Sequence, residues 1–117
     1  MILRHRFGFR GTCFELATDH AELHDFWVRF TARFPAAGEP EWRYLALVGG
    51  GTRFTGSNGL ERPVERPGDL FPLVEGAFLA DLIRVASRDG SVVHAAGIAT
   101  SRRATIYLGA PGAGKST

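Results

Sequence analysis

The sequence has almost no lysine or cysteine, and it has no long apolar run. Its fourteen basic residues are thirteen arginines and a single lysine, Lys115. A lone cysteine, Cys13, cannot form a disulfide within the chain, and no Cys-x-x-Cys motif indicates a structural metal site. No apolar stretch approaches the ~20 residues of a membrane-spanning helix. These absences argue against a disulfide-stabilised secreted domain and favour a soluble, cytoplasmic protein with no membrane partner.

The positive charge of the chain is weak and dispersed. The formal net charge is +2 over 117 residues, and the arginines are spread from Arg4 to Arg103. Proteins that bind nucleic acids or membrane surfaces usually cluster their positive charge, so we expect neither partner. Apolar residues make up 44% of the sequence, which is enough to bury the core of one small domain.

The first third of the chain carries a strand pattern and then a helix pattern. Near-alternation of apolar and polar residues predicts one strand over residues 2–17, bent or bulged at Gly8 and Gly11. Asp19 is the predicted N-cap of a helix that ends at Pro35. Its apolar stripe consists of Leu23, Phe26, Trp27, Phe30 and Phe34.

A hairpin and a polar segment are predicted next. Two strands are predicted, over residues 42–48 and 52–56, and the glycines at 49–51 are the predicted turn between them. Residues 57–69 combine glycine, proline and charge, and they are the candidate internal boundary. We do not expect this segment to separate two independent domains.

A second helix is predicted after this segment. Asp69 is its expected N-cap, Pro72 is tolerated in its first turn, and it ends near Asp89 and Gly90. Its apolar stripe consists of Phe71, Val74, Phe78, Leu82 and Val85. Three apolar residues outside the stripe predict burial on more than one side, namely Leu73, Leu79 and Ile83.

The end of the chain carries a complete phosphate-binding loop. Residues 109–116 match the P-loop pattern of a glycine, four residues, and then Gly-Lys-Ser/Thr. Such glycines let successive backbone amides converge on phosphate oxygens. Lys115 is placed to contact the β and γ phosphates, and the Ser116 hydroxyl is placed to ligate Mg²⁺, so ATP and Mg²⁺ are the predicted cofactors. The predicted nucleotide-binding residues are Gly109, Ala110, Pro111, Gly112, Ala113, Gly114, Lys115, Ser116 and Thr117.

Two strands lead into this loop. Residues 91–99 and 103–108 are predicted strands joined by a polar turn, and the second runs directly into Gly109. The predicted fold is therefore α+β: a mixed β-sheet with two packed helices, leading into the first strand and P-loop of an α/β P-loop kinase-like core. The helix that follows a P-loop supplies much of its anion site. We therefore expect residues 1–117 to be a single α+β region, the N-terminal part of a longer protein, and to bind ATP weakly or not at all alone.

The stretch 91–117 resembles the start of the catalytic domain in HPr kinase/phosphorylase and its related proteins. Both have a histidine on a strand, then a turn, a second strand and the P-loop. His94 lies 15 residues before Gly109 and 21 before Lys115, as the active-site histidine of that family does. The resemblance covers about the last quarter of the chain, and the upstream element order matches more weakly. It implies ATP-dependent phosphoryl transfer to a serine or threonine hydroxyl of a protein or peptide, with His94 and Lys115 as catalytic residues.

Several alternatives stay open. This chain has Ala95 and Thr117 where the HPr enzymes have a glycine and an acidic residue, which argues against HPr itself as the acceptor. From the residues alone, His94 is also interpreted as a core or edge residue of its strand. A P-loop ATPase that couples hydrolysis to conformational change, or a non-enzymatic nucleotide-sensing module, also fits the motif. The sequence is also compatible with a protein that forms an oligomer.

Overall fold

The computed structural model describes residues 1–88, 90, 95–99 and 103–108. The chain divides into two compact units between Val85 and Ala86. The first unit is a small α+β domain, in which a mixed five-stranded sheet packs with two helices. The predicted α+β class and the mixed sheet with two helices are therefore confirmed. His94 and residues 109–117 lie outside the described residues.

The sheet of the first unit has the strand order β1-β2-β3-β4-β5. Strands β2 and β3 are parallel, and the other three pairs are antiparallel. The strands are β1 (Leu3–Phe9), β2 (Thr12–Thr18), β3 (Pro40–Leu47), β4 (Arg53–Thr55) and β5 (Glu61–Pro63). The helices are α1 (Ala21–Phe30) and α2 (Leu70–Ala86), and a 3-10 turn (Pro67–Asp69) leads into α2. Because parallel strands need a crossover, α1 connects β2 to β3.

The core lies between one face of this sheet and the two helices. Phe78 of α2 meets three other rings edge-on, with centroid distances of 5.3 Å to Phe7, 5.3 Å to Phe14 and 5.5 Å to Trp27. Edge-to-face pairs of this kind contribute about 0.5–1.5 kcal/mol beyond their buried area. The buried apolar cluster comprises Phe7, Phe14, Leu16, Leu23, Trp27, Tyr44, Ala46, Phe54, Leu70, Val74, Phe78 and Val85.

The prediction of one bent strand over residues 2–17 is wrong, because the chain reverses at Arg10 and Gly11. Both residues have positive φ, 50° and 77°, and Phe9 pairs directly with Thr12. A two-residue turn with positive φ at both positions matches the twist of an antiparallel pair. Arginine rarely adopts this conformation, so Arg10 does not indicate a turn. The alternating apolar and polar residues on both sides of it are therefore interpreted as one strand.

The start and end of α1 also differ from the prediction. His20 is the N-cap, and its Nδ1 accepts a hydrogen bond from Leu23 N at 3.4 Å. Asp19 instead accepts hydrogen bonds from the backbone amides of Val48 and Gly49, at 2.7 and 2.8 Å. These bonds hold the end of β3 to the start of α1, and they lower the pKa of Asp19 below its ordinary value of 3.8. The helix ends at Phe30, before the predicted Pro35.

The hairpin predicted over residues 42–48 and 52–56 is confirmed, since β3 and β4 are antiparallel neighbours. Residues 57–69, the candidate internal boundary, contribute β5 to the same sheet, so this segment lies within the first unit. Its glycines and prolines shape a turn and an edge strand. A three-residue edge strand that includes Pro63 is short and presents few backbone groups to another chain.

Helix α2 is buried on one stripe. Asp69, the predicted N-cap, lies in the preceding 3-10 turn, and α2 ends at Ala86. Leu79 and Ile83 are 45% and 50% exposed, so the prediction that they are buried is wrong in the described structure. The buried side chains are Leu70, Val74, Phe78, Asp81 and Val85, a spacing of three and four residues that keeps them on one helix face.

The described part of the second unit is an antiparallel strand pair. Strand β6 (Ala95–Ala99) pairs with β7 (Ala104–Leu108), and the register runs from Ala99 opposite Ala104 to Ala95 opposite Leu108. This confirms the two predicted strands within the described residues. Residues 91–94 and the predicted turn at 100–102 lie outside them.

Candidate functional site

The β6–β7 pair precedes the predicted nucleotide-binding motif in the sequence. Leu108 is the last residue of β7, and the P-loop motif begins at the next position of the sequence. Ala95 is opposite Leu108, and His94 is the residue before it. The positions assigned to the histidine and to the first P-loop glycine are therefore each one residue from the same strand pair. Residues 94 and 109–117 themselves lie outside the described residues.

A second polar centre, which sequence analysis missed, surrounds the carboxylate of Asp81 on α2. Asp81 is only 2% exposed. Its Oδ2 accepts hydrogen bonds from the hydroxyl groups of Tyr44 and Ser57, both at 2.7 Å, and its Oδ1 accepts one from Arg84 Nη1 at 2.7 Å. A buried carboxylate is costly unless such donors surround it. Three separate segments, β3, the β4–β5 connection and α2, are joined at this one group.

The phenol of Tyr44 is held in its neutral form at this centre. Burial, the hydrogen bond to Asp81 and the charge of that carboxylate raise the pKa of Tyr44 well above its ordinary value of 10, against a smaller opposing effect of Arg84. The hydroxyl therefore acts as a permanent donor to Asp81. This chemistry suits a structural anchor that fixes the neighbouring chain segments.

Beside this centre, an open groove of about 720 Å³ separates residues 56–62 from α2. Ser57 and Asp81 line it, and so do Arg62 and Arg84. The other carboxylate of the lining, Glu61, has an ion pair with Arg53 at 3.1 Å. Apolar and small side chains of both walls complete the groove, among them Leu60, Leu73, Ala77 and Ala80.

The outer face of the sheet carries a different charged group. Arg4 Nη1 and Arg6 Nε donate to the two oxygens of Glu15, each at 3.1 Å, and the Glu15 side chain is 7% exposed. Because these residues lie on the paired strands β1 and β2, the ion pairs add cross-strand contacts to the hairpin. They account for part of the dispersed arginine content of the sequence.

The histidines of α1 have local roles. His20 caps the helix, and His24 lies 3.6 Å from the Asp25 carboxylate. Among the described residues, no three His, Cys, Asp or Glu side chains come together in a group that could hold a metal ion. Neither α1 nor α2, the two helices of the described residues, is both long enough and apolar enough to cross a bilayer.

One sequence signal could have located the Asp81 centre. Asp81 lies three residues after Phe78 and four before Val85, on the apolar stripe of its helix. An acidic residue in such a stripe indicates a buried carboxylate, which must have donors nearby. The donors Tyr44 and Ser57 are 37 and 24 residues away in sequence, so only the folded chain identifies them.

Comparison of the chain with known protein families, with curated proteins and with solved structures finds no match. Function is therefore inferred from the residues of this chain alone.

Proposed function

We propose that this chain carries the phosphate-binding loop of an ATP-binding protein. The observation that carries the proposal is the complete P-loop motif at residues 109–116, which begins directly after β7. A P-loop follows a strand in this way because the strand fixes one end of the loop. ATP with Mg²⁺ is the expected ligand, bound by residues 109–117, and the cytoplasm is the expected compartment.

The activity that we propose for this site is phosphoryl transfer from ATP to a serine or threonine hydroxyl of a protein or peptide, as in HPr-kinase-related proteins. Lys115 would stabilise the charge that develops on the transferred phosphoryl group, and Ser116 would help to hold Mg²⁺. His94 would orient the attacking hydroxyl or an acidic partner. The register of β6 and β7 supports this proposal, because Ala95 and Leu108, the neighbours of His94 and Gly109, are opposite each other.

The proposal is tested with γ-labelled ATP, Mg²⁺ and an array of serine- and threonine-containing peptides. The protein used is the complete one, with any residues that follow Thr117. We expect acid-stable label on peptides, lost in Lys115→Ala and reduced by about two orders of magnitude in His94→Ala. His24→Ala, a histidine outside the strand pair, is the matched control and should retain activity.

Other outcomes of this assay separate the alternatives. Release of labelled phosphate without labelled peptide would contradict a kinase and indicate an ATPase. ATP binding without turnover would indicate a nucleotide sensor. Unchanged transfer in His94→Ala would remove the histidine from the mechanism and leave the other roles standing.

A further inference from the structure

We propose that the groove beside Asp81 is a docking site for a short segment of another protein, one that combines an apolar side chain with an acidic one. We call it the docking groove, defined by residues 56–62 on one wall and residues 72–84 of α2 on the other. The inference concerns the first unit only and does not depend on ATP binding.

The apolar part of the docking groove is accessible to a partner. Leu60 is 71% exposed at the groove, although leucine is an apolar side chain that a folded chain usually buries. Leu73 and Ala77 of α2 are only partly buried in the opposite wall. A partner side chain placed between these walls would remove apolar surface of both from water, which favours association.

The charges of the docking groove favour an acidic partner. Within the described residues, both lining carboxylates are already paired, Asp81 with Arg84 and Glu61 with Arg53. Arg62 lines the groove, and no carboxylate of the described residues forms an ion pair with it. Arg84 uses one nitrogen for Asp81, and its side chain remains 66% exposed. Because both lining carboxylates are paired, Arg62 and the exposed part of the Arg84 side chain are the groups that complement a partner carboxylate.

The wall formed by residues 56–62 is held in place before any partner binds. Ser57 donates to Asp81 Oδ2 at 2.7 Å. The amide of Gly59 donates to the Gly56 carbonyl at 3.0 Å, and the amide of Leu60 donates to Asn58 Oδ1 at 3.0 Å. A preformed wall lowers the entropy cost of binding. The Asp81 centre thus supports the groove, since it anchors one wall to the other.

Gly76 leaves the α2 wall of the docking groove open. It lies in the interior of the helix, where glycine is unfavourable relative to alanine. A Cβ added at Gly76 would meet no atom within 4 Å, so packing inside this chain does not require a glycine there. Gly76 also lines the docking groove. The absence of a side chain at this position therefore leaves room in the groove for a partner side chain.

The open shape of the groove favours a peptide segment over a small molecule. Small-molecule sites bury most of their ligand in a closed cleft. Here a second depression of about 400 Å³ adjoins the docking groove, with which it shares Arg62, Pro72 and Leu73. An extended segment can lie along both depressions, whereas a compact ligand cannot.

The test selects a phage-displayed library of random 12-residue peptides on the purified protein. We expect enrichment of peptides with an aspartate or glutamate near a large apolar residue. The highest-ranked peptide is then synthesised and its Kd is measured by fluorescence anisotropy. Its binding should shift amide resonances of residues 57–62 and 73–84 in a heteronuclear NMR spectrum.

Matched variants locate the binding. Gly76→Glu and Arg62→Glu should each weaken the Kd by about tenfold or more, because one fills the groove with a repelling carboxylate and the other inverts its charge. Two variants are controls. Gly76→Ala adds a smaller, uncharged side chain at the same site, and Arg33→Glu makes the same charge change on an exposed loop outside the groove. Both controls should bind within about twofold of the unmodified protein. A peptide with its acidic residue changed to arginine should bind Arg62→Glu better than it binds the unmodified protein.

Two results would overturn the proposal. One is a selection that enriches no acidic, apolar peptide. The other is an enriched peptide whose affinity is the same for Gly76→Glu and Arg62→Glu as for the controls, since that peptide binds elsewhere. Thermal unfolding of every variant checks that a lost affinity is not a lost fold. Neither result bears on the ATP proposal, which the nucleotide assays test separately.

Discussion

At the scale of single residues, the first unit depends on a few carboxylates that each accept several hydrogen bonds, one of them the buried Asp81. Asp81 accepts from three donors, and Asp19 accepts from two backbone amides. In both cases a carboxylate joins segments that are far apart in the sequence. Breaking such a group by removing one partner costs more than the net strength of the bond, because a buried polar atom is left unsatisfied.

The ionisation of Tyr44 tests this arrangement. Its folded-state pKa is raised above the ordinary value of 10, so its stabilising contribution is complete below pH 10 and is lost as the pH rises above that value. In the 117-residue chain with Tyr107→Phe, Tyr44 is the remaining tyrosine. We expect its absorbance at 295 nm to stay flat through pH 10–11 in the folded protein and to rise near pH 10 in urea.

Tyr44→Phe is the control for this titration, since the tyrosine that remains in it is Tyr107. A folded-state transition of Tyr44 with a midpoint near 10 would show that the phenol is not held by Asp81.

The variant Tyr44→Phe is also expected to lower the free energy of unfolding by about 1.5–3 kcal/mol, the range for a hydrogen bond to a charged group.

At the scale of elements, helices and regular hairpins could be predicted from the sequence, and contacts that depend on single unusual residues could not. The apolar spacing predicted α1 and α2, and the glycines at 49–51 predicted the β3–β4 turn. The turn at Arg10 and Gly11 was missed because arginine is not a residue expected at positive φ. The cap of α1 was misassigned because Asp19 lies next to His20 and its bonds to Val48 and Gly49 are long-range.

Two glycine substitutions test the backbone of these elements. Gly76→Ala should raise the free energy of unfolding by about 0.5–1 kcal/mol, because the added methyl group meets no atom and alanine favours a helix interior. Gly11→Ala should lower it by about 1 kcal/mol or more, because Gly11 has a φ of 77° that alanine rarely adopts. Urea unfolding of both variants measures the two changes. Equal effects of the two substitutions would contradict the assigned turn and helix geometry.

At the scale of the whole molecule, the two proposed sites differ in whether they can be predicted from the sequence. The P-loop is a local motif, so eight consecutive residues and the preceding strand are enough to predict phosphate binding. The docking groove is formed by two segments of the first unit, residues 56–62 and 72–84, and no short motif marks it. Sequence reasoning therefore predicted the nucleotide site and missed the groove, because the groove forms only when the fold brings its two walls together.

The measurement that tests the nucleotide proposal most directly is the affinity for Mg-ATP, measured by isothermal titration calorimetry on the complete protein, with any residues after Thr117. We predict saturable binding that Lys115→Ala weakens by roughly one to two orders of magnitude, the effect of losing a charge-assisted hydrogen bond of about 1.5–3 kcal/mol. Arg66→Ala, a basic residue of the first unit outside the motif, should bind as the unmodified protein does. No measurable Mg-ATP binding, or an affinity that Lys115→Ala leaves unchanged, would contradict the assignment of residues 109–117 as a nucleotide site.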